Sequence, residues 1–176
     1  MTKHLMVDME TLAVSPNAVV LSLGAAHFDP FGTGVKETIY FKINLDDQDK
    51  LGREIDPNTV EWWGKQDPAI MEEAFSEHDR IPLEEAMSRF HKFAWGCDAF
   101  WSHGATFDLV ILESLYRQVK RPLPWNYWQL RDTRTLFDLG FDPAMPKESK
   151  HDALQDALRQ VVGVQNVYAQ IRALKE

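Results

Sequence analysis

The chain has 176 residues, 44% hydrophobic and 26% charged, which is typical of one globular domain that we predict to span residues 1–176. A formal net charge of −8 argues against binding nucleic acid through bulk positive charge. It allows an enzyme that binds phosphates through metal ions held by carboxylates. The lone cysteine, Cys97, excludes an internal disulfide and fits a packed thiol. With no stretch of transmembrane length, we expect a soluble cytoplasmic protein that does not bind membranes.

Three strands are predicted in the first 45 residues. The segment "KHLMVDME" is a short strand, Ala18–Asp29 a central strand, and Val35–Leu45 a third strand after a turn at Pro30–Gly34. Their close succession predicts an antiparallel meander. The following "DDQDK", Asp46–Lys50, is predicted to be a solvated linker.

Helices and short strands alternate in the rest of the chain. Two Asp-Pro pairs, at Asp56 and Asp67, predict the starts of two short helices. The later segments predict a helix over Pro82–Gly96, a strand over Asp98–Gly104, a helix over Ala105–Pro122, a strand and a helix within Asn126–Gly140, and a long helix from about Asp152 to Leu174. This order predicts an α/β three-layer fold with a mixed central sheet whose first three strands are antiparallel. No G-x-G-x-x-G and no P-loop follows the first strand, which argues against a glycine-rich nucleotide cradle.

Asp8 and Glu10 lie two residues apart at the end of the first predicted strand, so their side chains share one face. Two carboxylates on one face repel each other unless a cation lies between them. The pair is therefore either part of a metal site or an ordinary strand end that becomes polar where it leaves the core.

Asp108 lies in the segment "SHGATFD", which closes a short strand and opens a helix. An acid in the first helical turn is favoured by the helix dipole whatever its function. Such a strand–turn–helix junction also faces the carboxyl end of the sheet, where ligands gather in α/β folds. This segment alone leaves both interpretations open.

The last helix begins near "HDALQD", where Asp152 and Asp156 are four residues apart and share a helix face. Asp152 is favoured as the N-cap, with Gln155 three residues later, and this leaves His151 in the preceding loop. Ser149 as the cap would instead place His151 in the first turn. Only the loop position lets His151 approach Asp156, because five residues along a helix separate side chains by about 140°.

Taken together, "DMET", "HGATFD" and "HDALQD" resemble the three motifs of the DEDDh 3′–5′ exonucleases, which belong to the ribonuclease H-like superfamily. The five motif residue types occur in the expected order and in the expected strand or helix context. Two further segments, "NTVEWWGKQ" and "WQLRDTRTL", are similar to a narrower branch. That branch contains the DexA-type phage exodeoxyribonucleases and small bacterial 3′–5′ exoribonucleases.

The resemblance implies that Asp8, Glu10, Asp108 and Asp156 hold two divalent ions, Mg²⁺ or Mn²⁺. It implies that His151 is the general base and that Glu10 is a catalytic residue as well as a ligand. Carboxylate oxygens suit these hard ions, and histidine side chains transfer protons near neutral pH. The implied reaction removes nucleoside 5′-monophosphates one at a time from the 3′ end of RNA or DNA.

The resemblance also implies contacts between the terminal nucleotide and Thr11, Leu12 and Phe107. Trp62 and Trp63 are adjacent on a short predicted helix and cannot both face the same way. One of the two is expected in the core, and the other is expected to stack on a base. We name Trp63 as the stacking candidate, although the spacing alone does not choose between them.

Basic residues near the motifs have competing interpretations. Arg131 and Arg134 flank Asp132 at a predicted strand-to-helix junction. There a salt bridge and an N-cap by Asp132 are favoured over a phosphate contact. Lys147 and Lys150 are candidates for guiding a nucleic-acid backbone.

The expected partner is single-stranded nucleic acid or a 3′ overhang, and the sequence leaves a homodimer open. Two other hydrolases stay as alternatives: a metal-dependent phosphohydrolase acting on small nucleotides, and a proofreading-type subunit acting with a polymerase. A nucleic-acid-binding module that has lost catalysis is disfavoured because all five motif positions are present. The preference for RNA or DNA stays open, since it depends on how a pocket treats the 2′-hydroxyl.

Overall fold

The computed structural model describes residues 2–147 and 151–175. Within these residues, one sheet of six strands is flanked by α-helices. The strands are β1 His4–Thr11, β2 Val20–Phe28, β3 Glu37–Ile43, β4 Arg80–Ile81, β5 Ala99–Ser102 and β6 Leu130–Asp132. The helices are α1 Leu45–Asp49, α2 Pro57–Trp63, α3 Pro68–Phe75, α4 Leu83–Ala94, α5 Asp108–Gln118, α6 Thr133–Phe137 and α7 Ala153–Ala173.

The strands follow the order β4-β3-β2-β1-β5-β6 across the sheet. The first three strands form an antiparallel meander, whereas β5 lies parallel to β1 and β6 parallel to β5. The predicted mixed sheet with antiparallel first strands is therefore confirmed. Because β1 lies between β2 and β5, it is an interior strand of the sheet.

Alternate residues of β1 face opposite layers. Val7 and Met9 pack in a core cluster with apolar residues of α4 and α5. Met6 packs on the other face with apolar residues of α7. Asp8 and Glu10 have the same parity as Met6, so they project toward the α7 layer.

Gly24 of β2 allows α7 to lie directly on the sheet beside these acids. It pairs with Asp8 across the β1–β2 ladder. A Cβ at Gly24 would lie 2.3 Å from the Leu154 nitrogen and 2.5 Å from the Ala153 carbonyl carbon. Both are backbone atoms, so any side chain at Gly24 would push the start of α7 away from β2.

The prediction of a solvated linker at Asp46–Lys50 is wrong, because most of this segment belongs to helix α1. The Asn44 side chain caps this helix by accepting a hydrogen bond from the Asp47 amide. Gln48 is fully buried, and its side-chain amide bonds both the amide and the carbonyl of Val20. These long-range bonds to β2 stabilise a helix that the local composition did not predict.

Several element ends also differ from the prediction. The helix expected from Ala105 begins at Asp108, because Gly104 and Phe107 first form a turn in which the Phe107 amide bonds the Gly104 carbonyl. The helix expected to reach Gly140 ends at Phe137. The short edge strand β4 was not predicted.

Cys97 is a packed thiol, 5% exposed, and burial raises its pKa to about 11. This environment suppresses thiolate chemistry. Among the described residues, no helix combines the length and apolar character needed to cross a membrane.

Candidate active site

A cavity of about 420 Å³ opens near the carboxyl end of β1 and brings the three sequence motifs together. All five motif residues line it: Asp8, Glu10, Asp108, His151 and Asp156. The rest of the wall comes from Met9, His103, Phe107, Arg134, Met145, Arg159 and Gln160. Residues from four separate parts of the chain therefore meet in one concave site.

Three of the predicted ligands already form a compact oxygen cluster. One carboxylate oxygen from each of Asp8, Glu10 and Asp156 lies within 4.8 Å of the others. Asp8 and Glu10 reach the cluster from β1, and Asp156 reaches it from the first turn of α7. This spacing and these donor atoms suit a hard divalent cation.

Asp108 lines the same cavity and ties α5 to β1. It is 4% exposed, and its Oδ1 accepts a hydrogen bond of 3.0 Å from the Met9 amide. Met9 lies between the two acids of β1, so this bond fixes the first turn of α5 beside them. The predicted crevice position of Asp108 is therefore the one the structure shows.

Gln160 orients the Asp8 carboxylate from α7. Its side-chain amide donates a hydrogen bond of 2.9 Å to Asp8 Oδ1. The Gln160 Oε1 atom is buried and bonds no group in the described part of the chain. Gln160 lies four residues after Asp156, so helical spacing from Asp156 is the signal that could have identified it.

Burial and mutual repulsion raise the pKa values of three acids of this site. Burial, with repulsion from Asp156 and Asp108, raises the pKa of Glu10 to about 8. Burial raises the pKa of Asp108 to about 7, and hydrogen bonds from the Met9 and Asp108 amides oppose this rise. Burial and the neighbouring Asp108 and Glu10 also hold the pKa of Asp8 well above its usual range. A divalent ion among these oxygens would reverse all three shifts, because opposite charge favours the ionised form.

Asp156 differs from the other acids because it forms a direct ion pair, with Arg159. Arg159 donates a hydrogen bond of 2.7 Å to Asp156 Oδ1. The same guanidinium bonds the Pro146 carbonyl through Nε at 2.9 Å. Arg159 therefore links α7 to the segment that leads toward His151.

His151 lies outside helix α7, in the preceding loop. Asp152 is the N-cap, and its side chain accepts a hydrogen bond of 2.9 Å from the Gln155 amide. The competing cap, Ser149, lies outside the described residues. The backbone of His151 has a φ of +55°, and its ring contacts the Trp62 ring edge-on with centroids 4.8 Å apart. A non-glycine residue in this region of φ is strained by about 1–3 kcal/mol, a feature that clusters at active sites.

A second cavity, of about 470 Å³, adjoins the first and is more apolar. The two share Met9, Glu10 and Phe107. The lining found only in the second cavity includes Thr11, Val14, Asp56, Asn58, Thr59, Trp62 and Trp63. The expected nucleotide contacts Thr11 and Phe107 therefore line a pocket that begins at the acidic cluster.

The choice of Trp63 as the stacking residue is wrong. Trp63 borders the pocket but is 1% exposed, and its indole Nε1 donates a hydrogen bond to the Thr11 carbonyl. Trp62 is 42% exposed and offers ring surface to the pocket. Leu12 is also a correction: it is 3% exposed, packs in the core cluster that contains Trp63, and lines neither cavity.

Asp132 caps helix α6 as predicted, and among the residues that the structure describes Arg134 does not form the expected salt bridge. The Asp132 carboxylate accepts from the Arg134 amide and from the amides of Gly104 and Ala105. Arg134 reaches the first cavity instead. Lys147 is exposed, and Lys150 lies outside the described residues.

Comparisons with known proteins show that this chain is similar to exonucleases. The model of the Rv2179c-like 3′–5′ exoribonuclease domain family matches residues 3–168. The chain is 26% identical to an exodeoxyribonuclease of Enterobacteria phage T4, over 73% of this chain and 68% of the phage protein.

Solved structures of E. coli exonuclease I have the same fold. A zinc-bound complex with single-stranded DNA superposes with a TM-score of 0.70 at 17% identity, covering 99% of this chain and 42% of that one. A complex with a dT13 oligonucleotide gives a TM-score of 0.69 at 16% identity, covering 99% and 43%. The chain thus spans less than half the length of these structures, and the likeness establishes a ribonuclease H-like fold.

Proposed function

This chain belongs to the Rv2179c-like 3′–5′ exoribonuclease domain family, and from that premise we propose that it is a cytoplasmic, metal-dependent 3′–5′ exonuclease. It would release nucleoside 5′-monophosphates from the 3′ end of single-stranded RNA or DNA. The observation that carries the proposal is the cluster of Asp8, Glu10 and Asp156 oxygens within 4.8 Å of one another. Asp108 and His151 line the same cavity.

The donor set fits hard divalent cations. Asp8, Glu10, Asp108 and Asp156 would hold two Mg²⁺ or Mn²⁺ ions through carboxylate oxygens, the ligands that these ions prefer. When bound, the ions supply positive charge to the scissile phosphate and promote ionisation of the attacking water. Their charge also offsets the repulsion that raises the pKa values of Glu10 and Asp108.

His151 would accept the proton of the attacking water. It lines the cavity that holds the four acids, and its loop position leaves its ring free of the helix geometry that constrains Asp156. General-base catalysis of this kind contributes about 10²–10⁴-fold to a rate. The contact with Trp62 couples the histidine to the neighbouring pocket.

The second cavity would bind the 3′-terminal nucleoside. It meets the acidic cluster at Glu10 and offers ring surfaces from Trp62 and Phe107. Stacking of a base on an aromatic ring is sequence-tolerant, as an enzyme that removes successive different nucleotides requires. Exonuclease I, which has the same fold, has been solved with single-stranded DNA bound, and this supports a single-stranded substrate.

A 5′-labelled single-stranded oligonucleotide tests the proposal. With Mg²⁺ or Mn²⁺ it should shorten stepwise from the 3′ end, and chromatography should identify nucleoside 5′-monophosphates. Matched RNA and DNA oligonucleotides assayed side by side give the sugar preference. Asp8→Ala should abolish the ladder, whereas Asp46→Ala, which removes an exposed acid of α1, should not.

Three outcomes contradict the proposal. One is internal cleavage, a second is release of nucleoside 3′-monophosphates, and a third is efficient hydrolysis of free nucleotides with no attack on oligonucleotides. The third would favour a small-nucleotide phosphohydrolase. An Asp8→Ala variant that keeps the wild-type rate would show that the acidic cluster is not the catalytic site.

A further inference from the structure

We propose that Arg134 binds the phosphodiester one linkage upstream of the scissile bond. This inference rests on the proposed function, because it needs a nucleic-acid strand whose 3′ end lies at the acidic cluster. It assigns Arg134 a substrate-binding role within the first cavity. It also gives a net-negative protein a defined cationic contact for its anionic substrate.

The backbone around Arg134 is fixed beside the loop that leads to Asp108. The Asp132 carboxylate accepts the Arg134 amide at 2.9 Å and the Ala105 amide at 2.8 Å. It also accepts the Gly104 amide at 3.2 Å. One carboxylate thus ties the start of α6 to the turn before α5, so that Arg134 has a defined position at the cavity wall.

Gly104 leaves space for the guanidinium itself. A Cβ at this position would lie 2.5 Å from Arg134 Nη1. The backbone of Gly104 has a φ of +110°, which favours glycine for conformational reasons as well. The guanidinium therefore lies over this turn, at the edge of the cavity that Asp8 and Glu10 also line.

The guanidinium of Arg134 makes no hydrogen bond and no ion pair with any residue that the structure describes. The other two arginines near the site are occupied. Arg159 bonds Asp156 and the Pro146 carbonyl, and Arg131 bonds the carbonyls of Trp128 and Leu130. An arginine held at a cavity edge with its planar donors free suits a phosphate, whose oxygens match the guanidinium fork.

His103 extends the same wall. Its Nδ1 lies 2.7 Å from the hydroxyl of Thr133, a fully buried residue. This bond orients the imidazole in the cavity beside Arg134. Repulsion from Arg134, added to burial, lowers the pKa of His103, so the fixed positive charge on this wall belongs to the arginine.

The arrangement of the two cavities indicates which phosphate Arg134 meets. Trp62 and Thr11 line only the apolar cavity, whereas Arg134 and His103 line only the acidic one. A terminal nucleoside in the apolar cavity places the scissile phosphate at the shared boundary, near Glu10. The strand then continues through the acidic cavity, where the next phosphate reaches Arg134.

Equilibrium binding of a fluorescent oligonucleotide tests this assignment. Ca²⁺ would replace the catalytic ion, with gels confirming that the probe stays intact. We expect Arg134→Gln to weaken binding about tenfold, the effect of losing one charge-assisted hydrogen-bond pair, and to raise KM more than it lowers kcat. Arg134→Lys should recover part of the loss. Arg131→Gln is the matched control and should bind as wild type, because Arg131 does not line the cavity.

A second probe locates the phosphate. It carries one uncharged methylphosphonate linkage between the second and third nucleotides from the 3′ end. The wild type should bind this probe about tenfold more weakly than the normal one, and Arg134→Gln should bind both probes equally, because the two changes remove the same interaction. If the affinity losses from the probe and from Arg134→Gln multiply, the assignment is wrong. It is also wrong if Arg134→Gln lowers kcat and leaves binding unchanged, which would place Arg134 on the scissile phosphate.

The two proposals fail in different ways. If the wild type does not degrade oligonucleotides from the 3′ end, the proposed function is wrong, whatever Arg134 does to binding. If the wild type degrades them and Arg134→Gln binds both probes as tightly as wild type, only the role of Arg134 is wrong. Urea unfolding of each variant checks that this exposed side chain is not needed for the fold.

Discussion

The four acids of the candidate site and its histidine are held by different kinds of structure. Asp8 and Glu10 lie on an interior strand, and Asp108 and Asp156 lie in the first turns of α5 and α7. His151 lies in a loop, with a φ of +55° and ring contacts to the two tryptophans of α2. The acids are thus fixed by the sheet and its packed helices, and the histidine by a local contact with side chains.

This difference separates two tasks. A metal site needs ligand oxygens at nearly constant spacing, which hydrogen-bonded elements provide. A group that moves a proton needs to approach the substrate after it has bound, which a loop permits. We therefore expect changes to the acids to alter metal binding and stability together, and changes at His151 to alter turnover alone.

The largest expected effect comes from Asp8→Asn, which tests whether the acids held by the sheet and helices bind the metal. Activity should fall by roughly a thousandfold, because a ligand that no other residue replaces is lost. The metal-free variant should be more stable than wild type at pH 8, since it removes an acid whose charged form burial and its acidic neighbours disfavour. Oligonucleotide assays and urea unfolding in EDTA measure the two effects, and a variant that is both active and unchanged in stability would falsify the assignment.

His151→Ala tests the expectation that the loop histidine affects turnover and not the fold. Turnover should fall by about 10²–10⁴-fold, the contribution of a general base. Binding of an oligonucleotide in Ca²⁺ and the free energy of unfolding should stay near wild type. His78→Ala, which removes an exposed histidine, is the control. Retained turnover with a shifted pH profile would assign the base to another residue.

Substituting the two adjacent tryptophans one at a time separates effects on the pocket from effects on the core. Trp63→Ala should lower the free energy of unfolding by about 3–5 kcal/mol, because it empties a buried site. Trp62→Ala should leave stability nearly unchanged and weaken oligonucleotide binding by about 1–3 kcal/mol. Urea unfolding and fluorescence anisotropy compare the pair, and equal effects on stability would contradict the assigned positions.

Gly24→Ala tests whether the close packing of α7 against the sheet fixes the positions of the carboxylates in the acidic cluster. The added Cβ meets the α7 backbone, so we expect a loss of about 1–3 kcal/mol in stability. Mn²⁺ binding, measured by calorimetry, should weaken because Asp156 moves with the helix. Gly32→Ala is the control, since its Cβ would lie 3.4 Å from the nearest atom. Unchanged Mn²⁺ affinity would show that α7 adjusts without moving Asp156.

The last prediction concerns pH. The pKa of Glu10 is raised from 4.5 to about 8 and that of Asp108 from 3.8 to about 7, so the folded state binds more protons than the unfolded state. The stability due to these groups is present below their unfolded pKa values and is lost as pH rises through the folded ones. Unfolding in EDTA should therefore become easier between about pH 5 and pH 8, and Mn²⁺ should remove much of this slope. A slope of the opposite sign would contradict the described environment of the acids.

Local patterns determined much of this protein. The two-residue spacing of Asp8 and Glu10 placed both acids on one face, because side chains alternate along a strand. The sequence indicates Asp152 as a cap because short polar side chains bond the free amides at a helix start. The antiparallel meander followed from three closely spaced strands. Each of these features depends on interactions within a few residues, which the order of amino acids specifies directly.

Only the tertiary structure decided which of two similar residues faces a cavity. Trp62 and Trp63 have the same chemistry and adjacent positions, and packing of α2 against Leu12 buries one of them. Helix α1 forms because Gln48 bonds Val20, 28 residues away. Arg134 reaches the acids because Asp132 ties α6 to the turn at Gly104. Burial and partner choice depend on long-range contacts, and no local pattern records which surfaces the folded chain brings together.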